Sequence, residues 1–256
     1  MSIADHIRRQ LPTAAITYLA DSQYFPYGLL AEEALLERVA TLIEKTLVRC
    51  PADLVVVACN TASTLVLPIL RARLRVPVVG VVPAIKPAAA LSNSKVIGLL
   101  ATPGTLRREY TAELIDEYAP NCEVLSLASN ELVDVVERVM AGEQVAADVY
   151  RDILQPFYQH RHFEQLDTLV LACTHFPLVR QELEAQLPQV LYWVDSGSAV
   201  AQRVASLLRT APAHHASDSV SEYANTLLLT DLSRAGGFSE ALVRRYGFTR
   251  TLQWDL

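Results

Sequence analysis

No stretch of this chain stays apolar for the roughly 20 residues that a membrane-spanning helix needs, so a membrane protein is not expected. The opening Met-Ser-Ile-Ala-Asp-His-Ile-Arg-Arg has no apolar core of the kind a secretory signal carries. Basic residues are in the minority, 22 Lys and Arg against 28 Asp and Glu, for a formal net charge of −6. They form no stripe along the chain, which argues against a nucleic-acid surface. Cysteine is scarce: there are four, none closely paired. That spacing excludes a disulfide framework and points to a reducing, cytoplasmic setting. The six histidines offer no ligand pattern, so no metal site is expected.

What the chain has in quantity is apolar sequence, 51% of 256 residues, enough to bury a large core or two modest ones. Short β-rich runs alternate with amphipathic stretches. Strands are expected at Ala15–Leu19, Leu169–Ala172, Val76–Val82, Lys95–Ala101, Cys122–Leu127, Val190–Val194 and Asn225–Thr230. Helices are expected at Ser2–Gln10, Ala31–Arg49, Ala62–Leu74, Leu106–Tyr118, Glu131–Met140, Ala147–His160, Leu178–Leu187 and Phe238–Tyr246. Asp195-Ser-Gly-Ser198 reads as the cap of another, ending near Arg209. His214 and His215 fall in a polar loop and read as solvated. Strands alternating with helices mean α/β architecture, and continuous apolar strands mean mainly parallel sheets covered on both faces.

One pattern occurs twice. Asp53-Leu-Val-Val-Val-Ala-Cys59-Asn60-Thr61-Ala62 matches Asp167-Thr-Leu-Val-Leu-Ala-Cys173-Thr174-His175. In each an aspartate precedes the cysteine by six residues, a strand closes on Ala-Cys, and small hydrogen-bonding residues follow. The cysteines are 114 residues apart, and a further strand begins 17 residues after each. Upstream, Leu11-Pro12…Ile16 matches Ala119-Pro120…Val124. The second copy extends further back, through a helix and the Thr102–Thr105 loop to the Lys95–Ala101 strand. The first reaches Met1 within its helix, so one strand and one turn-rich loop have no counterpart.

An isolated cysteine at a strand end reads as a small core residue, and Cys50 and Cys122 are read that way. Two in matching contexts suit a two-sided thiol site. Ligands of α/β sheets gather at the C-terminal strand ends. A thiol near its ordinary pKa of ~8.5 can act as acid or base, and the helix that follows each cysteine should favour thiolate. One thiolate could take a proton from a carbon while the opposite thiol returns one to the other face. The sulfurs would then lie roughly 7–8 Å apart, around one carbon.

At Pro26-Tyr27-Gly28, Cys59-Asn60-Thr61-Ala62, Thr102–Thr105, Cys173-Thr174-His175-Phe176-Pro177 and Asp195-Ser-Gly, the chain resembles the glutamate racemase family of the aspartate/glutamate racemase superfamily. The resemblance implies cofactor-independent interconversion of L- and D-glutamate, supplying D-glutamate for peptidoglycan. It implies Cys59 and Cys173 as the bases, the first acting on the D-isomer and the second on the L-isomer, with His175 assisting Cys173. It places Tyr27, Gly28, Asn60, Thr61, Thr102, Thr105, Thr174 and His175 at the substrate. The family opens with a further strand ending in Asp-Ser-Gly, which this sequence does not show; the resemblance and the internal repeat point to the same piece.

The expectation is therefore an α/β fold of two pseudo-symmetric domains with mainly parallel sheets and the active site between them. Residues 1–82 with 197–256 would form one domain and 83–196 the other. The first sheet should be open beside the Ala15–Leu19 and Val55–Ala58 strands. Another amino-acid racemase, such as one for aspartate, or an inactive truncated homologue with a binding role, are the competing readings. A homodimer is compatible with the sequence, which does not itself set the oligomeric state.

Overall fold

The computed structural model of the protein describes residues 1–210, 222–234 and 237–255. The His214–His215 pair lies outside them. All strand pairings among the described residues are parallel.

The first half runs α1 (Ser2–Gln10), β1 (Tyr18–Ala20), α2 (Glu32–Arg49), β2 (Val55–Val57), α3 (Asn60–Arg73), β3 (Val78–Gly80) and α4 (Ile85–Leu91). The second half runs β4 (Val96–Ala101), α5 (Pro103–Leu106), α6 (Glu109–Tyr118), β5 (Glu123–Ala128), α7 (Glu131–Met140), α8 (Ala147–Ile153), α9 (Gln155–Tyr158), β6 (Thr168–Ala172), α10 (Arg180–Gln186) and β7 (Tyr192–Val194). The chain closes with α11 (Gly197–Thr210), β8 (Thr226–Leu229), α12 (Glu240–Arg245) and β9 (Arg250–Gln253).

The second-half sheet has the order β5-β4-β6-β7. β4 and β6 are buried at every position, which is why Val-Ile-Gly-Leu-Leu-Ala and Thr-Leu-Val-Leu-Ala are apolar without alternation. α7, α8 and α10 bury Leu132, Val136, Ile153 and Leu183 against one face of this sheet. α4 and α6 cover the other, with Ile85 and Ala88 against Ile97, Leu99 and Val170. Asp167 sets the base of the layer. Its carboxylate accepts hydrogen bonds from Ser92 Oγ (2.7 Å), Asn93 N (2.8 Å), Ser94 N (2.8 Å) and Thr168 Oγ1 (2.8 Å), fixing the turn that leads into β4.

The first half repeats this order with one difference. β2 pairs with β3, and β1 pairs with β8, which pairs with β9. β1 and β2 share no sheet, as expected from the repeat, and an open slot lies between them. The C-terminal strands extend the sheet on the far side of β1, while α11 packs Val200 and Val204 against Ile3 and Ile7 of α1.

Several boundaries differ from the sequence reading. The expected strand at Ala15–Leu19 forms only at its end, as Tyr18–Ala20. The helix expected at Leu106–Tyr118 is two, because the Thr102 side chain caps a short turn of its own at Thr105 before the chain restarts at Glu109. The helix expected at Ala147–His160 breaks at Leu154, ahead of Pro156, which has no N–H to continue the ladder. α4 and β9 were not anticipated. The Ser196 hydroxyl reaches across to Val82 O (2.5 Å) instead of its own helix, while Asp195 Oδ1 accepts from Gly197 N (2.6 Å).

Candidate active site

β2 and β6 deliver the two cysteines at equivalent places. Cys59 follows β2 and is the N-cap of α3; Cys173 follows β6. Both line one cavity of about 1220 Å³ that runs between the halves, and they lie close enough that charge on Cys173 disfavours charge on Cys59. Tyr27, Gly28, Asn60, Thr61, Thr102, Thr174 and His175 line the same cavity. Thr105 does not: it is fully buried behind the wall, with its hydroxyl 3.1 Å from Thr61 Oγ1 and 3.0 Å from Thr102 Oγ1. With Thr61 and Thr102 2.8 Å apart, the three hydroxyls close a triangle across the two halves. Each hydroxyl has one proton and two lone pairs, so a carboxylate arriving here can be met by turning one donor.

Glycines let these elements meet closely. A Cβ on Gly104 would lie 2.9 Å from Thr61 Cγ2 and 3.2 Å from Gly28 O, and one on Gly28 would lie 3.1 Å from Asn130 Oδ1. The loop bearing Gly28 presses closely against α5 because Gly104 lacks a side chain, and Gly28 eases the contact with Asn130.

The sulfurs have different surroundings. Backbone N–H groups of Thr61 and Ala62 and the Thr61 hydroxyl point at Cys59 and favour thiolate, as expected at a helix N-terminus. Burial outweighs them, with Cys173 adding to it, and pushes the Cys59 thiol up to about 11. The expected dipole effect is present but loses. Beside Cys173, His175 Nδ1 lies 3.7 Å from Sγ, and His175 Nε2 lies 3.1 Å from Glu137 Oε1. Burial works against a charged ring, but hydrogen bonds and attraction from Cys173 and Glu137 prevail and raise His175 to about 9. Glu137 is itself held below the usual carboxylate range: its own burial opposes this, but His175 and the Gly237 N–H more than compensate. His175 thus stays an imidazolium at neutral pH, clamped between a sulfur and a carboxylate.

Asn60 is 3% exposed, and its Oδ1 has no partner among the described residues. A buried acceptor left unpaired is costly, and this one sits in the cavity wall, where a ligand's ammonium could satisfy it. Tyr27 contributes its ring to the wall. Its hydroxyl is already engaged, donating to Asp21 Oδ2 (2.8 Å). Asp21 also binds Arg38 through two hydrogen bonds (2.8 and 2.6 Å) and accepts from Thr230 Oγ1 (2.7 Å), so α2, the Tyr27 loop and the C-terminal segment are tied at one buried carboxylate. Glu137 and Asp21 escaped the sequence reading. The one signal for Glu137 is an acidic residue next to the buried Leu132–Val136 face of α7.

Residues 2–204 match the family model for Asp/Glu/Hydantoin racemase. The chain belongs to this family. A glutamate racemase of Shewanella loihica is 51% identical over 208 residues, covering 81% of this chain and 77% of the relative. One from Actinobacillus pleuropneumoniae serotype 7 is 42% identical over 250 residues, covering 98% and 91%. Among solved structures, Escherichia coli glutamate racemase in complex with L-glutamate and the activator UDP-MurNAc-Ala superposes with a TM-score of 0.89 at 42% identity, covering 98% of this chain and 92% of that one. The cavity of this racemase is lined by the hydroxyls of Thr61, Thr102 and Thr174, the amide of Asn60, and a sulfur from each half. The described residues contain no group of His, Cys, Asp and Glu arranged to hold a metal. None of their helices is long and apolar enough to cross a membrane.

Proposed function

We propose that this racemase interconverts L- and D-glutamate by a two-base mechanism with Cys59 and Cys173 as the bases. The observation that supports it is the delivery of two cysteines, from symmetry-related strand ends, into one cavity with different neighbours. Cys59 is held as a neutral thiol by burial, and Cys173 sits against an imidazolium.

From the L-isomer, Cys173 sulfur takes the Cα proton, and the electron pair left on carbon is delocalised toward the α-carboxylate. The Cys59 thiol then gives its proton to the opposite face. The product is the D-isomer, with the proton now on Cys173 and the negative charge on Cys59; the reverse reaction returns both. The mechanism requires the sulfurs to flank the carbon at about 7–8 Å from one another, two near-attack contacts of ~3–3.5 Å each. Thr61, Thr102 and Thr174 take the carboxylates, Asn60 Oδ1 accepts from the ammonium, and Thr105 holds the first two hydroxyls in place. His175 stabilises negative charge on Cys173, and Glu137 positions His175. D-glutamate made this way would feed peptidoglycan. The same reading assigns residues 1–82 and 197–256 to one domain and 83–196 to the other.

The test is circular dichroism of purified chain with L-glutamate, with D-glutamate and with aspartate, repeated for Cys59→Ser and Cys173→Ser. Glutamate should racemise in both directions and both variants should lose activity. Retention of full activity by either variant would overturn the assignment, and racemisation of aspartate in preference to glutamate would overturn the substrate.

A further inference from the structure

The imidazole of His175 has both nitrogens engaged, Nδ1 with Cys173 Sγ at 3.7 Å and Nε2 with Glu137 Oε1 at 3.1 Å. Both partners belong to the second half, and both meet the ring at its rim. They leave its faces uncovered and leave it free to tip about the line that joins them.

A third neighbour comes from the first half. The Phe25 ring centroid lies 5.8 Å from that of His175, with the two planes inclined at 50°. Phe25 is half-buried and lines the cavity, and it packs against the apolar core of the second half although its backbone belongs to the first.

The backbone that carries this ring is held from two sides. Ser22 Oγ donates to Asp231 O (2.8 Å) and accepts from Asp231 N (2.9 Å), and Gln23 N donates to Thr230 Oγ1 (3.1 Å). The Arg234 guanidinium donates to Gln23 O and to Phe25 O, the latter at 3.1 Å. Beyond Phe25, the Tyr27 hydroxyl is fixed to Asp21 (2.8 Å). The Thr230–Arg234 segment thus sets where the loop runs, and the loop sends an aromatic side chain across the boundary between the halves to the imidazole.

The chemistry suits that contact. With His175 raised to about 9, the ring that Phe25 meets at neutral pH is a cation. An aromatic ring whose centroid lies within ~6 Å of a cation attracts it through its quadrupole. Phe25 has no donor or acceptor of its own, so it does not compete with Cys173 or Glu137 for the two nitrogens. The titratable groups that face the imidazole are Cys173, at the end of its own strand, and Glu137 of α7. Cys59 stands across the cavity from Cys173.

We propose that Phe25 is a positioning residue for the Cys173 base: from the opposite half, its ring steadies the orientation and the charged form of the His175 imidazole. The L-side base is then complete only when both halves contribute. Its part in turnover rests on the two-cysteine chemistry proposed above; the contact with His175 does not.

The test compares Phe25→Leu and Phe25→Met, which keep an apolar side chain but remove the aromatic ring, with Phe25→Tyr, which keeps the ring. The first readout is NMR titration of the His175 ring protons in the full chain without substrate, with the resonances identified by their loss in His175→Asn. Phe25→Leu and Phe25→Met should lower the His175 pKa by about half a unit, roughly threefold in its protonation equilibrium, and Phe25→Tyr should leave it near its original value. The second readout is steady-state racemisation. The kcat for L-glutamate should fall about threefold in the Leu and Met variants with little change in KM, and Phe25→Tyr should retain it. A His175 titration unmoved in both non-aromatic variants, or moved equally in Phe25→Tyr, would overturn the proposal. So would a titration that shifts as expected with kcat unchanged, or a loss confined to KM. The titration needs no turnover, so it decides the contact even where the proposed racemase chemistry fails.

Discussion

Glu137→Gln removes one of the two hydrogen-bonding neighbours that keep His175 charged while preserving the shape of the side chain. The rise of His175 from 6.5 to about 9 corresponds to ~3 kcal/mol in favour of the protonated ring. Burial opposes it, and Cys173 and Glu137 together more than offset burial. The two side chains of the 3.1 Å pair keep 28% and 27% of their surface exposed, so solvent screens part of the attraction. Assigning Glu137 about half the net effect gives ~1.5 kcal/mol, which is about tenfold in an equilibrium or a rate. In Glu137→Gln the His175 pKa should fall by about one unit, read by NMR titration of the ring protons. Turnover of L-glutamate should fall about tenfold with little change in KM, since Glu137 meets the imidazole and not the substrate. The alkaline limb of the L-glutamate rate profile should move down in pH by the same amount. A His175 titration unchanged in Glu137→Gln, or a loss that appears in KM alone, would refute the positioning role.

Other consequences follow from the same geometry. Asn60→Ala should raise the KM for glutamate about tenfold or more, because a hydrogen bond to a charged group contributes ~1.5–3 kcal/mol; initial rates against substrate concentration check this. D-glutamate turnover requires Cys59 as thiolate, so its kcat/KM should climb as pH approaches about 11 while that for L-glutamate does not, measured in parallel from both isomers. Arg38→Ala leaves the Asp21 carboxylate, 4% exposed, without its cation. It should cost about 3 kcal/mol in urea unfolding, a cost typical of breaking a buried pair, whereas Arg38→Lys should recover part of it.

Much of the architecture could be read from the sequence because apolar period and chain repeat report the same thing. β4 and β6 are buried on both faces, so their sequences carry no polar position to blur the signal. The 114-residue repeat makes β2 the counterpart of β6 and sets both cysteines at strand ends. β9 escaped because it is an edge strand: Arg-Thr-Leu-Gln is mostly exposed and has no apolar run to betray it. α4 escaped because Ile-Lys-Pro-Ala-Ala-Ala-Leu has a proline near its start and only Ile85 and Ala88 buried, so tertiary packing rather than local period makes it a helix. Among the site residues, those next to a cysteine were visible through proximity in sequence. Glu137 reaches His175 across 38 positions, and Asp21 joins Thr230 across 209, distances at which nothing local links the partners. The thiol of Cys59 shows a further limit. Its helix N-terminus was apparent, but how much burial opposes that dipole depends on the assembled cavity.

The central claim, that two cysteines exchange protons with opposite faces of one carbon, is tested most directly by initial-rate racemisation in deuterium oxide. Starting from unlabelled L-glutamate, the account predicts deuterium at Cα in the D-glutamate formed and almost none in the L-glutamate remaining, and the mirror result from D-glutamate. The proton removed stays on one sulfur while the proton delivered comes from the other, which has equilibrated with solvent. D-glutamate formed with its original hydrogen retained, or solvent label appearing equally in substrate and product at early times, would mean a single base serves both faces and would contradict the account.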